Sequence, residues 1–294
     1  MPLNEENLKE EDTERRDDGS GPDYLLAVGE AAACRLLMLD EIFGPHSREL
    51  LVRAGLTQGM RVADIGCGTG LVSLWIAARL GAGGSITGVD MSGEQLRIAE
   101  KNAAAAGLTN ISFHQAGAYD TNLPRTQFDL VYSRFLMCHL TDPARALSEM
   151  RTLLKPDGIL VCEDHDDGGI FSEPPTGAYK RLVEISEAVN RARGLDSHVG
   201  LKLPRLVREA GFGRPEVVVK QIAELRGPRK LFWEITLREA APAILASGVA
   251  TKEELDTVCS EIIAVAQDET TLVMLARVTQ VWARLGFAAN AHGK

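Results

Sequence analysis

"VADIGCGTG", Val62–Gly70, is the stretch on which the fold turns. A short apolar run ends in Asp64 and Ile65, and Gly66, Gly68 and Gly70 then stand at alternate positions. The run reads as a buried strand, "GLVSLWIAARLG" after it as a helix, and "SITGVD" as a second strand. A glycine loop between strand and helix lies at the carboxyl end of the strand, where α/β sheets bind ligands. Asp90 ends the second strand, 20 residues after Gly70. A carboxylate there can accept hydrogen bonds from both hydroxyls of a ribose. The combination points to an adenosine-containing ligand. The spacing excludes two others: a dinucleotide loop wants glycine where Leu71 stands, and a P-loop wants a lysine that does not follow.

The same rhythm continues downstream. "SGEQLRIAEKNAAAAG" reads as a helix with Ser92 and Gln95 spaced as a capping box. "ISFHQA" and "FDLVYSR" read as strands. Asp142 and Pro143 read as an N-cap and first helical residue. "GILVCED" is a fifth strand, "LPRLVREAGF" a helix and "PEVVVKQI" a sixth strand. Upstream, an apolar helical pattern runs from near Tyr24 to Leu56, and "GPHS" (Gly44–Ser47) is expected to split it in two. Residues 228–268 read as helices, the second opened by a Thr251/Glu254 capping box. "TLVMLARVTQVWARL" (Thr271–Leu285) is read as the last strand of the same sheet, although its length also permits a helix. Alternating strands and helices predict an α/β fold, a Rossmann-like, doubly wound, mostly parallel seven-stranded sheet. The expected organisation is a disordered tail over 1–21, N-terminal helices over 22–59, a core over 60–227 and 269–287, and a helical insert over 228–268 capping the substrate site.

Composition narrows the function. The chain has 294 residues and a formal net charge of -9, which argues against a nucleic-acid surface. No apolar run reaches membrane-spanning length and no signal peptide is recognisable, so a cytoplasmic protein without a membrane partner is expected. The five cysteines form no CxxC pair, so no zinc knuckle or disulfide framework is suggested. Four acids, Glu163, Asp164, Asp166 and Asp167, crowd one segment, but neighbours on an extended chain point to opposite faces, and no metal is expected.

"VADIGCGTG" resembles motif I of class I S-adenosylmethionine-dependent methyltransferases. "ITGVDMS" resembles their second motif, and "LLKPDGILV" the segment entering their fifth strand. "FDLVYSRFLMCHLTDPARAL" is similar to the fourth strand and following segment of the ubiquinone/menaquinone-biosynthesis-type small-molecule branch. The resemblance is strong over residues 60–165, weaker over 200–225 and faint elsewhere. It implies that S-adenosylmethionine is the cofactor and S-adenosylhomocysteine the product. It lays Asp64 and the loop Gly66, Cys67, Gly68, Thr69 and Gly70 against the methionine moiety, Asp90 on the ribose and Met91 on the adenine. The third-strand motif of the family usually reads G-D-A; here Ala116, Gly117 and Ala118 occupy it, and the carboxylate is absent. Adenine recognition then falls to backbone near Gly117 and Ala118, to Tyr119, or to Asp120. Ser133 and Arg134 follow the fourth strand and face the donor, and Arg134 is also a candidate for an anionic substrate. Family members sometimes fold an N-terminal segment over the cofactor, which singles out Tyr24.

Methyl transfer from a sulfonium needs alignment and a dry site, and a base only when the nucleophile arrives protonated. His165, in "CEDHDDGG" on the catalytic rim, is the expected base. His139 and His198 are further candidates on the substrate side. Phe232 and Trp233 in "LFWEI" would suit an apolar acceptor. The expected reaction is transfer of a methyl group to O, N or C of a small, partly apolar organic molecule, by a protein compatible with a homodimer. Two alternatives stand beside it: a cofactor-binding regulatory or partner protein, and a non-methylating enzyme such as a cyclase or decarboxylase on the same scaffold.

Overall fold

The computed structural model describes Leu26 and residues 30–286, with side chains from residue 34 onward. The 1–21 tail and Tyr24 lie outside the described residues. Seven strands form one sheet in the order β3–β2–β1–β4–β5–β10–β7. They are β1 (Arg61–Ile65), β2 (Ser85–Asp90), β3 (Ile111–Gln115), β4 (Phe128–Arg134), β5 (Leu154–Asp166), β7 (Glu216–Lys220) and β10 (Arg277–Arg284). Five of them pair in parallel from β3 through β5, while β10 runs antiparallel to both β5 and β7.

Helices cover both faces, which is why the middles of the central strands are apolar and buried: Val62 and Ala63 in β1, Leu130 and Val131 in β4, and Ile159, Leu160 and Val161 in β5. Side chains alternate across each strand. Leu130 and Tyr132 of β4, with Ile159 and Val161 of β5, pack under α1 (Glu30–Ala54) and α2 (Leu71–Leu80). Val131, Leu160 and Cys162 face the other way, against α4 (Pro143–Leu153) and α6 (Val199–Glu209). α3 (Gly93–Ala105) flanks β2 and β3. Its start and that of α4 follow their caps: Ser92 Oγ accepts from the Gln95 amide at 3.3 Å and Asp142 from the Arg145 amide at 3.1 Å.

A third core joins Ile42 and Phe43 of α1 to α5 (Gly177–Ala192), α7 (Phe232–Ser247) and α8 (Lys252–Gln267). These helices rise over the carboxyl rim of β4 and β5. The expected helices of 228–268 are therefore present, but α5, from inside the stretch read as core, stands with them. α8 opens on its Thr251 cap, which accepts from the Glu254 amide at 3.2 Å.

Two sequence expectations are corrected. "GPHS" does not split a helix: α1 runs unbroken with Pro45 inside it. Proline removes one backbone bond, but Ile42, Phe43, Leu50 and Leu51 on both sides of it are buried in two different cores, and this packing holds the helix through the defect. The stretch Thr271–Leu285 is two strands, not one. β9 (Leu272–Met274) belongs to a separate three-stranded sheet with β6 (Phe171–Glu173) and β8 (Ala223–Glu224), and only β10 enters the main sheet. The amide of Leu275, between them, donates to the Ile222 carbonyl at 2.9 Å and pins the break. Among the described residues no helix is long and apolar enough to cross a membrane.

Candidate active site

The carboxyl ends of β1, β2, β4 and β5 share one rim. The glycine loop after β1 lies there with all three glycines at positive φ: +77° at Gly66, +54° at Gly68 and +76° at Gly70. Their reasons differ. A Cβ on Gly66 would meet Leu136 at 3.0 Å, and one on Gly70 would meet Ala99, Leu74 and Phe113 at 3.0–3.2 Å. A Cβ on Gly68 would meet nothing within 4 Å. Gly66 and Gly70 are therefore packed against protein, while Gly68 presents bare backbone to a cavity of about 240 Å³.

The cavity wall includes Asp64, Gly66, Cys67, Gly68, Thr69, Asp90, Met91, Ala118 and Arg134. Asp90 accepts from the Gly68 amide and the Ser92 amide, each at 2.9 Å, so strand end and loop are locked to each other. Burial raises the Asp90 carboxyl above its usual range. Asp64 is buried and accepts a short hydrogen bond from Ser73 Oγ; burial still pushes its carboxyl up to about 6. Arg134 is anchored to α1, with Nη2 3.1 Å from Asp40 and Nη1 donating to Ser47 Oγ at 3.3 Å. Its charge is already answered by Asp40.

Gly70, Gly117, Tyr119 and Ser133 are not in this wall. Gly70 is turned into the α3 packing. Gly117 forms an isolated bridge with Asp120. The Tyr119 hydroxyl is spent on α4, where it accepts from the Asp142 amide at 3.0 Å while Arg145 lies over the ring. Ser133 is buried and donates to Cys162 Sγ. In exchange the wall holds two residues that sequence reasoning passed over, Gln95 and Arg35. Gln95 was read as half of a capping box. Its amide does donate to Ser92, but its side-chain Oε1 is buried and has no partner among the described residues.

A second cavity, of about 130 Å³, lies under α5 and α7. Arg35, Leu39, Phe135 and His139 line both cavities. Its remaining wall is mostly apolar and includes Phe232 and Trp233, whose rings meet edge to face at 5.0 Å. His165 faces it from the end of β5. Its Nδ1 is 3.3 Å from Asp164 and its Nε2 is 3.3 Å from Asp167. Burial opposes a charge on this ring, but the polar groups of Cys138, Asp164 and Asp167 outweigh it and hold the imidazole well above its ordinary value. His139 is the opposite case: burial pushes its imidazole down to about 4. His198 reaches neither cavity. Its Nδ1 contacts Asp166 at 2.6 Å and its Nε2 contacts Glu187 at 3.1 Å, in a network tying α5 and α6 to β5.

The four crowded acids each bond a different neighbour. Glu163 accepts from Tyr132 and Gln280, Asp164 from the Met137 and Cys138 amides, Asp166 from Arg277, and Asp167 from Ser186. Cys138, Asp164 and His165 do offer ligand atoms within 4.8 Å of one another. Asp164 is already engaged by two backbone amides, however, and burial pushes the Cys138 thiol up to about 12. Asp164, His165 and Cys138, whose Sγ donates to the Phe135 carbonyl at 3.5 Å, are thus engaged by partners within the protein.

Comparison with known proteins agrees with this geometry. A family profile described as a methyltransferase domain matches residues 56–210. The chain is 28% identical over 187 residues to methyltransferase GfsG of Streptomyces halstedii, covering 63% of this chain and 64% of that protein. It is 38% identical over 107 residues to a ubiquinone biosynthesis O-methyltransferase of Haemophilus ducreyi, covering 35% of this chain and 44% of that one. The chain thus spans less than two thirds of the length of either relative. The YcgJ protein from Bacillus subtilis shares the fold, with a TM-score of 0.56 at 20% identity, over 83% of this chain and 99% of that one.

Proposed function

The chain belongs to the methyltransferase domain family, and on that premise we propose that it transfers a methyl group from S-adenosylmethionine to O, N or C of a small, partly apolar molecule. The carrying observation is the wall shared by the two cavities: Arg35, Leu39, Phe135 and His139 belong to both. A donor in the larger cavity and an acceptor in the smaller one would meet across those four side chains. Bound S-adenosylmethionine supplies a methyl group already activated on a sulfonium.

The residues then divide the work. Asp64, at the end of β1, receives the ammonium of the methionine moiety. Asp90 takes the ribose hydroxyls on the lone pairs that Gly68 and Ser92 leave open. Met91 covers the adenine, and the unspent Oε1 of Gln95 is an acceptor for its amino group, the role left vacant by Gly117. Phe232 and Trp233 hold the apolar body of the acceptor and keep water out, which strengthens every polar contact inside.

For the proton, two histidines face the acceptor cavity. His165 sits between two carboxylates that favour its charged form, and a charged imidazole cannot take a proton. His139 is neutral at pH 7 and lies where donor and acceptor cavities join. We therefore assign proton acceptance to His139, with His165 as a fixed positive charge on the opposite wall. This supersedes the expectation that placed the base at His165.

The experiment is incubation with S-adenosylmethionine and separate panels of phenols, amines and active-methylene compounds, with S-adenosylhomocysteine as the readout. One panel should release product. His139→Gln should lower the single-turnover rate by about 10²–10⁴, the scale for a lost general base, and leave S-adenosylhomocysteine affinity unchanged. A protein that binds S-adenosylhomocysteine tightly yet releases none from any panel would be a cofactor-binding protein without transferase activity. A rate lost in His165→Gln and kept in His139→Gln would return the base to His165.

A further inference from the structure

Among the described residues, two N–H donors in the wall of the smaller cavity have no acceptor. Arg35 is only 4% exposed. Its Nε bonds Glu239 of α7 at 2.7 Å, while its Nη2 is shielded from solvent and meets no partner among the described residues. The indole Nε1 of Trp233 is in the same condition. Other polar groups of this wall are answered: Ser186 donates to Asp167 at 2.7 Å, Asn190 donates to Ser197 at 2.8 Å, and His165 is held by Asp164 and Asp167. The groups left over are both donors, and one carries a full charge.

A buried donor without an acceptor is costly, so a protein that keeps two beside one cavity gains when an occupant supplies oxygen. The guanidinium fork suits a carboxylate in particular, because two parallel N–H groups match its two oxygens. Glu239 takes the Nε side and fixes the orientation of the fork. A carboxylate entering beside Glu239 would bring an excess negative charge, but the sulfonium of the donor brings one positive charge to the adjoining cavity. The two ligands therefore balance each other.

We propose that the acceptor is an acid: an apolar body bearing a carboxylate held by Arg35, with Trp233 giving a second hydrogen bond to an acceptor oxygen and the methylated atom elsewhere on the body. This rests on reading the smaller cavity as the acceptor site. It makes Arg35 the residue that selects acids over neutral molecules of the same shape.

The test uses the full chain saturated with sinefungin, a cationic analogue of the donor. Matched pairs are then titrated by ligand-observed NMR: benzoate with benzamide, cinnamate with cinnamamide, octanoate with octanamide. At least one acid should bind tenfold or more tightly than its amide. The double variant Arg35→Gln/Glu239→Gln removes both charges together and should bring that preference within twofold, with sinefungin binding retained. If the double variant does not fold, Arg35→Lys decides, since it keeps the charge and loses the fork; the preference must fall at least threefold. Acids and amides that bind alike, or a preference that survives in these variants, would overturn the inference alone. If neither acids nor amides bind, the acceptor-site reading falls with it. If the variant loses sinefungin affinity but keeps that for 5′-methylthioadenosine, which lacks the amino-acid moiety, Arg35 serves the donor carboxylate and the inference is overturned.

Discussion

Alanine at Gly68 and alanine at Gly66 should fail in opposite ways. Both positions have positive φ, +54° and +77°, so each variant bears left-handed strain of roughly 1–2 kcal/mol. At Gly68 that strain is the whole cost to the fold, because a Cβ there meets nothing within 4 Å. At Gly66 the added carbon meets Leu136 at 3.0 Å, with two further contacts at 3.3 Å. Overpacking of that kind adds about 1–3 kcal/mol. At roughly 2–4 °C per kcal/mol for a chain of this size, Gly68→Ala should lower the unfolding midpoint by several degrees and Gly66→Ala by clearly more. Binding should reverse the order. Gly68 lines the proposed donor cavity and a methyl on it would stand in open space, so S-adenosylhomocysteine should bind Gly68→Ala at least tenfold more weakly, about 1.4 kcal/mol. Gly66→Ala, once folded at low temperature, should lose less affinity. Thermal unfolding without ligand and titration calorimetry with S-adenosylhomocysteine measure the two quantities. Gly68→Ala binding within twofold of wild type would show that this loop does not touch the ligand, and the donor site would have to be sought elsewhere.

Three more outcomes follow from particular residues. Asp64 must be ionised to receive an ammonium and its carboxyl titrates near 6, so S-adenosylhomocysteine affinity should fall as pH drops through that value; Asp64→Asn should bind more weakly and show no such fall, and a wild-type affinity flat from pH 5 to 8 refutes the assignment. Gln95→Leu should weaken S-adenosylhomocysteine but barely alter S-inosylhomocysteine, which lacks the adenine amino group; equal losses on both ligands would show that Gln95 acts on the fold and not on the base. The hydrogen bond to Asp166 raises the His198 imidazole, and Asp166, despite its desolvation, is lowered by His198 and Arg277. The histidine's contribution is full below its unfolded value near 6.5 and fades as pH rises through the raised folded value, while the aspartate's is full above about 3.9 and fades below it. The gap in unfolding temperature between wild type and His198→Gln should therefore be widest between about pH 4 and 6.5, and a gap that grows above pH 8 contradicts the pairing.

The larger cavity, which we propose holds the donor, was legible because it is local. One loop, one helix start and one strand end supply it, and the positive φ of Gly66, Gly68 and Gly70, with close packing at the first and last, leaves a mark in the sequence. What was misread there has a local cause too. Ser133 follows the strand alternation to the wrong face, and Tyr119 is drawn away by the exposed amides at the start of α4. Gln95 was hidden by its double position, since its amide serves the cap and its side chain does not. Pro45 misled because proline marks a break only where packing does not oppose it.

The smaller cavity, the proposed acceptor site, was illegible for a different reason. Its wall is drawn from α1, α5, α7 and the ends of β4 and β5, segments separated by up to 200 residues in sequence. Each of these helices shows only an amphipathic pattern, and that pattern is the same whether a side chain packs against protein or lines a cavity. Arg35 illustrates the limit: in sequence it is one charged residue on a helix, and only the fold buries it, pairs it with Glu239 and leaves Nη2 unanswered. The same helix carries Asp40, which holds Arg134 in the wall of the larger cavity. α1 thus bonds the donor wall through Asp40 and the acceptor wall through Arg35, little more than one turn apart. A change that shifts or unwinds this turn would disturb both cavities at once, whereas α5 lines the smaller cavity alone and α7 reaches the larger one only through the hold of Glu239 on Arg35. On the proposed assignment, a new acceptor can therefore be accommodated by changes in α5 that leave the larger cavity intact, and α1 is the element least free to vary.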